Sequence, residues 1–175
     1  MKPIQVGLIG LGTVGAGVFH VLQRNQEEIR RRAGREIRLV SVNRRNLDQA
    51  RAIVGDKAQV VADARAIIAD PAIDIVVELV GGTTEARTLV LEAIAAGKHV
   101  VTANKALLAV HGTEIFSAAH ARGVMVGFEA AVAGGIPIIK ALREGLTANR
   151  IDRKSTRLNS QSQSTISYAV FCLKK

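Results

Sequence analysis

Short apolar, β-branched runs alternate along this chain with longer Ala/Leu/Glu/Arg-rich stretches whose apolar residues recur at helical spacing. Ile4–Gly10 reads as a strand, and Val14–Arg32 as a helix with Val14, Val18, Val21, Leu22 and Ile29 on one face. Ile37–Asn43 is a second strand and Leu47–Val54 a short helix. Gln59–Ala62 reads as a weak strand, and Ala64–Ala69 as a short helix stopped by Asp70-Pro71. Asp74–Leu79 is a strand, Thr84–Ala96 a helix closed by Gly97, and His99–Thr102 a strand. Ala106–Ala121 is a helix ending near Gly123, and Val124–Phe128 a strand. Pro137 then opens a helix that runs to about Leu146.

The strands show little polar alternation, the pattern of strands buried on both faces. Strands separated by helical stretches imply βαβ crossovers. The fold expected is therefore α/β, with about six strands in a mostly parallel sheet. Its extent is residues 1–151. From Asp152 the chain turns polar and Ser/Gln-rich without periodicity, and its only Tyr (Tyr168) and only Cys (Cys172) fall there. Residues 152–175 read as a disordered tail or a foreign segment, resembling the translated ends of broken reading frames.

Composition removes several classes of function. With 48% hydrophobic and 22% charged residues, the chain is not globally disordered. A single cysteine excludes an internal disulfide scaffold. No apolar run is long enough for a membrane span, and the start lacks a signal peptide's pattern, so a cytoplasmic setting and no membrane partner are expected. The net charge of +9 suggests nucleic acid, but +4 of it lies in residues 152–175. The run Arg30-Arg31-Arg32 reads as a solvated helix end. At 3%, aromatics are too few for a base-stacking platform, so no nucleic-acid partner is expected.

The first candidate site is Gly10-Leu11-Gly12-Thr13-Val14-Gly15, a G-x-G-x-x-G turn between a buried strand and a helix. In this context Gly10 permits the tight turn, Gly12 lets backbone approach a diphosphate, and Gly15 allows close packing. The helix start at Thr13 and Val14 supplies free N–H groups. A Rossmann-like doubly wound sheet binding a nicotinamide dinucleotide follows. The second strand ends in Asn43-Arg44-Arg45-Asn46, with no carboxylate to hold a ribose 2′-hydroxyl. Two guanidiniums suit a 2′-phosphate, so NADP(H) is expected over NAD(H), with Arg44 the main contact.

Further candidates follow the later strands. Gly81 and Thr83, in Val80-Gly81-Gly82-Thr83-Thr84, lie at the carboxyl edge where such sheets bind ligands. Thr83 is a candidate beside the nicotinamide, or a cap of the next helix. Lys105 ends Val101-Thr102-Ala103-Asn104-Lys105 at the same edge, placed to contact coenzyme or to move a proton. Glu129, followed by small residues and Gly134-Gly135-Ile136-Pro137, reads as a loop whose carbonyls and one carboxylate suit a hard cation, or as a tight strand-to-helix connection. His20, His99, His111 and His120 have no metal-ligand spacing and read as structural or exposed.

Together the glycine turn, Val77–Gly82, Gly97–Ala109 and Phe128–Pro137 resemble homoserine dehydrogenase over residues 1 to about 151. The resemblance implies NAD(P)-dependent interconversion of L-homoserine and L-aspartate 4-semialdehyde, toward threonine, methionine and isoleucine. It implies Lys105 at the active site, dinucleotide binding by Thr13, Val14 and Arg44, and a sodium ion on Glu129, Val132, Gly134 and Ile136, largely through backbone oxygens. Members of that family continue with an Asn-Gly-Thr-Thr-Asn motif and a substrate and dimerisation domain, and are expected to be homo-oligomers; this chain departs after Ile151. A non-catalytic dinucleotide-sensing module, or another semialdehyde or amino-acid dehydrogenase of the same fold, is the alternative. The purified chain is expected to bind NADP(H) but to reduce NADP⁺ with homoserine slowly or not at all. Rapid homoserine-dependent reduction, followed by nicotinamide absorbance, would overturn that expectation.

Overall fold

A computed structural model describes residues 2–149. The proposed tail, with Tyr168 and Cys172, lies outside the described residues. Strands β1 (Ile4–Ile9), β2 (Ile37–Asn43), β3 (Gln59–Val61), β4 (Ile75–Glu78), β5 (His99–Thr102) and β6 (Val126–Gly127) form one sheet in the order β3-β2-β1-β4-β5-β6. Every pairing is parallel. This is the doubly wound α/β order, in which the chain leaves β1 in one direction across the sheet and returns to β4 on its other side.

The helices are α1 (Thr13–Arg24), α2 (Gln26–Ala33), α3 (Leu47–Val54), α4 (Ala64–Ala69), α5 (Glu85–Ala95), α6 (Lys105–Arg122), α7 (Ala130–Ala133) and α8 (Ile138–Lys140), followed by a wide π-type turn at Ala141–Gly145. Two cores hold them to the sheet. Val6, Leu8, Leu39, Val42 and Val77 pack with Phe19 of α1 and with Ala50 and Val54 of α3. Ile9, Val76 and Val100 pack on the other face with α4, α5 and α6. Alternate residues of one strand therefore serve opposite cores, which explains the absence of polar alternation. The cover is incomplete at the β5–β6 end, where Val101 is 41% and Met125 64% exposed.

The helix expected over Val14–Arg32 is bent at Asn25, between α1 and α2. Two hydrogen bonds meet at Asn25, its N–H donating to Val21 (3.0 Å) and its carbonyl accepting Ile29 N–H (2.9 Å), but the α-helical ladder is interrupted between α1 and α2. Asn competes with helix backbone through its side chain, here an acceptor for Arg24 Nε at 3.3 Å. Its buried face also differs from the expected one: Gly15 and Phe19 are buried, whereas Val14 and Val21 are exposed. The helix expected from Pro137 to Leu146 is only one α turn and the wide turn, and the loop expected after Glu129 contains α7.

Outer surfaces carry ion pairs. Arg31 and Arg32 of the arginine run pair with Glu28, at 2.7 and 2.5 Å. Arg87 of α5 donates to Glu114 of α6 (Nε–Oε2 2.7 Å), and that hydrogen bond holds the Glu114 carboxyl below the usual carboxylate range. A depressed carboxyl contributes stability at neutral pH that is lost as pH falls through its folded-state value, a small effect for an exposed pair.

Packing of α4 depends on Gly7, because a Cβ there would lie 2.2 Å from Ile67 Cγ2 and 3.0 Å from Ile73 Cδ1. Gly7→Ala is expected to destabilise the domain by about 1–3 kcal/mol through overpacking, read as a lowered Tm.

Candidate functional site

The glycine turn is built at the carboxyl end of β1 by contacts to both neighbouring strands. Gly10 and Leu11 donate their N–H groups to the Asn43 carbonyl at the end of β2, at 3.2 and 2.9 Å. On the other side Gly10, at φ +98°, touches the turn after β4: a Cβ would lie 2.6 Å from the Leu79 carbonyl carbon. Gly15 is equally constrained, since its Cβ would lie 2.5 Å from the Gly10 carbonyl oxygen. Both positions combine with backbone that has no room to move, so both require glycine.

Gly12 is different. Nothing lies within 4 Å of the Cβ it lacks, and its φ of −87° suits any residue. It precedes α1, which has no side-chain cap and no acidic residue in its first turn. Thr13 and Val14 are exposed there. A helix start left open in this way presents unpaired N–H groups and partial positive charge to an anion.

Beside the turn runs a cleft of about 570 Å³ across the carboxyl ends of β1, β2 and β4, lined by Gly10, Leu11, Gly12, Arg44, Arg45 and Arg65 among others. Arg44 is held over the turn: Nη1 donates to the Leu11 carbonyl at 2.9 Å and Nη2 to Gln49 Oε1 at 2.6 Å. Asn43 Nδ2 bonds the Ala62 carbonyl at 2.8 Å, tying the wall at β3 to β2. Arg65 had no signal in the strand-end reading, because it enters the cleft from α4 through chain folding. Its guanidinium pairs with Glu92 at 3.0 Å, which raises its pKa.

Of the other predicted residues, Gly81 (φ +80°), Thr83 and Lys105 do not line this cleft, but they stand on the turns after β4 and β5 at the same sheet edge. Asn104 joins those turns, donating from Nδ2 to the Gly82 carbonyl at 2.7 Å while its Oδ1 caps Leu107 N–H at 3.1 Å. Lys105 is the exposed first residue of α6 and forms no ion pair among the described residues. Thr83 does not cap α5; Thr84 holds the cap position and makes no side-chain cap bond.

Glu129, Val132, Gly134 and Ile136 lie together around α7. The Glu129 carboxylate accepts Ile139 N–H at 2.8 Å and Lys140 N–H at 3.0 Å, so it caps α8. The Ile136 carbonyl accepts Ile138 N–H at 2.8 Å. Among the described residues no three His, Cys, Asp or Glu side chains cluster as metal ligands. His99 Nδ1 accepts Met125 N–H at 3.0 Å, a structural role, and His20 stacks edge-on with Phe19.

Glu78, read above only as a strand residue, is completely buried at the end of β4. Its Oε1 accepts Val80 N–H (2.8 Å) and Gly81 N–H (3.1 Å), and its Oε2 accepts the Thr102 hydroxyl (2.6 Å). A carboxylate inside an apolar strand was itself the signal, because Glu is almost never fully buried without partners.

Comparison with known proteins agrees with this geometry. The family described as homoserine dehydrogenase, NAD binding domain, matches residues 10–129. The homoserine dehydrogenase of Pseudomonas aeruginosa is 59% identical over 152 residues, 87% of this chain and 35% of the relative. That of Neisseria gonorrhoeae is 53% identical over 167 residues, 95% of this chain and 38% of the relative. The crystal structure of a homoserine dehydrogenase from Thiobacillus denitrificans superposes with a TM-score of 0.81 at 66% identity, covering 87% of this chain and 35% of that one. The chain thus spans about a third of the length of these relatives.

The two kinds of glycine predict opposite behaviour. Gly15→Ala is expected to lower Tm, because backbone must move. Gly12→Ala is expected to leave Tm nearly unchanged and to weaken any ligand seated on the turn. A scan of both variants by calorimetry, with and without NADPH, separates the two effects.

Proposed function

Because this chain belongs to the homoserine dehydrogenase family through its NAD-binding domain, we propose that it is the coenzyme-binding part of an NADP(H)-preferring oxidoreductase that interconverts L-homoserine and L-aspartate 4-semialdehyde. The observation that carries this reading is the uncapped start of α1 beside Gly12, with the Arg44 guanidinium fixed over the same turn.

The residues divide the work along the sheet edge. The N–H groups of Thr13 and Val14 take the diphosphate, aided by the positive end of α1. Arg44 and Arg45 take the 2′-phosphate at the β2 end of the cleft, where β2 itself ends in no carboxylate. Gly81 and Thr83 then border the nicotinamide, on the β4 side of the turn. The bound nicotinamide supplies the hydride acceptor or donor. Lys105 contacts coenzyme or substrate there and holds the proton exchanged with the substrate oxygen.

The oxygens of Glu129, Val132, Gly134 and Ile136 fit a sodium ion by donor type. Each Glu129 carboxylate oxygen accepts one N–H and retains a lone pair. Such an ion would brace the approach to α8 rather than take part in hydride transfer.

Fluorescence titration tests the assignment. NADPH is expected to bind more tightly than NADH. Arg44→Ala should weaken NADPH by about tenfold or more, the scale of a charge-assisted hydrogen bond, and NADH much less. Equal losses for both coenzymes would remove the 2′-phosphate role, and no binding of either by the folded chain would remove the function.

A further inference from the structure

Glu78 is the one fully buried acidic side chain among the described residues, and its partners are the equally buried Thr102 hydroxyl and the backbone of the turn after β4. It faces Ile9 of β1 on one side and Thr102 of β5 on the other in the strand register. From it the hydrogen bonds run in a closed circuit. Val80 and Gly81 donate N–H to Oε1, and Thr102 Oγ1 donates to Oε2. Thr102 Oγ1 in turn accepts Asn104 N–H at 3.0 Å, and Asn104 Nδ2 returns to the Gly82 carbonyl at 2.7 Å.

The circuit joins two segments. One is the turn after β4, where Gly81 and Gly82 adopt φ of +80° and +73°. The other is the start of α6, which carries Lys105. A buried charge is an expensive way to fill a core, and apolar residues of similar size usually serve stability as well or better. Here two carboxyl oxygens accept three donors, which the single acceptor oxygen of Gln cannot match at both positions.

We propose that Glu78 is a positioning residue for the nicotinamide half of the coenzyme, acting through Thr102 and Asn104 on the Val80–Gly82 turn and on the base of Lys105. This rests on the coenzyme reading above, in which the adenosine half occupies the β2 side of the glycine turn and the nicotinamide half the β4 side. The role is selective. Loss of the circuit loosens one half of the site and leaves the Arg44 half intact.

The test uses the full chain with Glu78→Gln, Thr102→Val and Thr102→Ser, each titrated with NADPH and with the adenosine bisphosphate fragment that lacks nicotinamide. Glu78→Gln turns an acceptor into a donor facing Thr102, and Thr102→Val removes the hydroxyl. Both are expected to raise the NADPH Kd by about tenfold, one buried charge-assisted hydrogen bond, with the fragment's Kd within about twofold of wild type. Thr102→Ser restores the hydroxyl and is expected to restore NADPH binding. In the ligand-free chain, amide exchange at Val80, Gly81 and Asn104 should accelerate in the first two variants and not in Thr102→Ser. Equal weakening of both probes, or unchanged NADPH binding with unchanged exchange, would overturn the proposal. If wild type binds neither probe, the coenzyme reading falls and this role falls with it; equal losses in variants of a wild type that binds both overturn the positioning role alone.

Discussion

Gly10 meets the backbone of Leu79 with no room for a single additional carbon. That contact is the pivot of the molecule. It lies where β1 and β4 run side by side and the chain leaves them toward opposite faces of the sheet, α1 to one and α5 to the other. Two turns diverging from adjacent parallel strands leave a crevice between them. The nearer the strands' ends are pressed together, the more sharply the crevice walls are defined. Gly15 against the Gly10 carbonyl repeats the constraint one helical turn later and seats α1 with its N-terminus over the crevice.

Around this pivot the sheet edge is assembled from polar groups that serve loops rather than core. Asn43 receives both N–H groups of the glycine turn at its carbonyl while its side chain reaches β3. Arg44 bridges the turn to α3. Glu78, Thr102 and Asn104 do the same for the turns after β4 and β5. The opposite edge of the sheet contains a buried cation instead: Lys98 Nζ donates to the Asp70 and Ile73 carbonyls at 2.6 and 2.7 Å. That ammonium satisfies carbonyls left at the end of α4 and before β4, a purely architectural task. The carboxyl edge is where polar contacts end on segments open to a ligand.

Membership in the homoserine dehydrogenase family and the physical features of the site reach the same coenzyme by separate routes. The family match spans residues 10–129, and so includes the glycine turn, the Glu78 circuit and Lys105. The geometry adds what a match cannot: Gly12 is free of steric demand within the chain itself, while Gly10 and Gly15 are not. Packing within the chain thus requires the outer pair of glycines in this motif and makes no demand on the middle one.

Strand count, parallel order and the position of the glycine turn were legible in the chain, because strands buried on both faces must be apolar throughout and a helix must follow each one. The placement of Gly10, Gly12 and Arg44 at the carboxyl ends of β1 and β2 was legible for the same reason. What remained hidden depended on which elements meet in space. Asn25 divides one expected helix into α1 and α2, Val14 faces away from the core although its spacing matched, and the Glu129 carboxylate caps α8. Arg65 reaches the cleft from α4, and Glu78 joins Thr102 across a gap of 24 residues. Local periodicity determines the elements and their order. Only tertiary packing decides which buried polar atom finds which partner, because hydrogen bonding at that range is set by strand register and not by sequence neighbourhood.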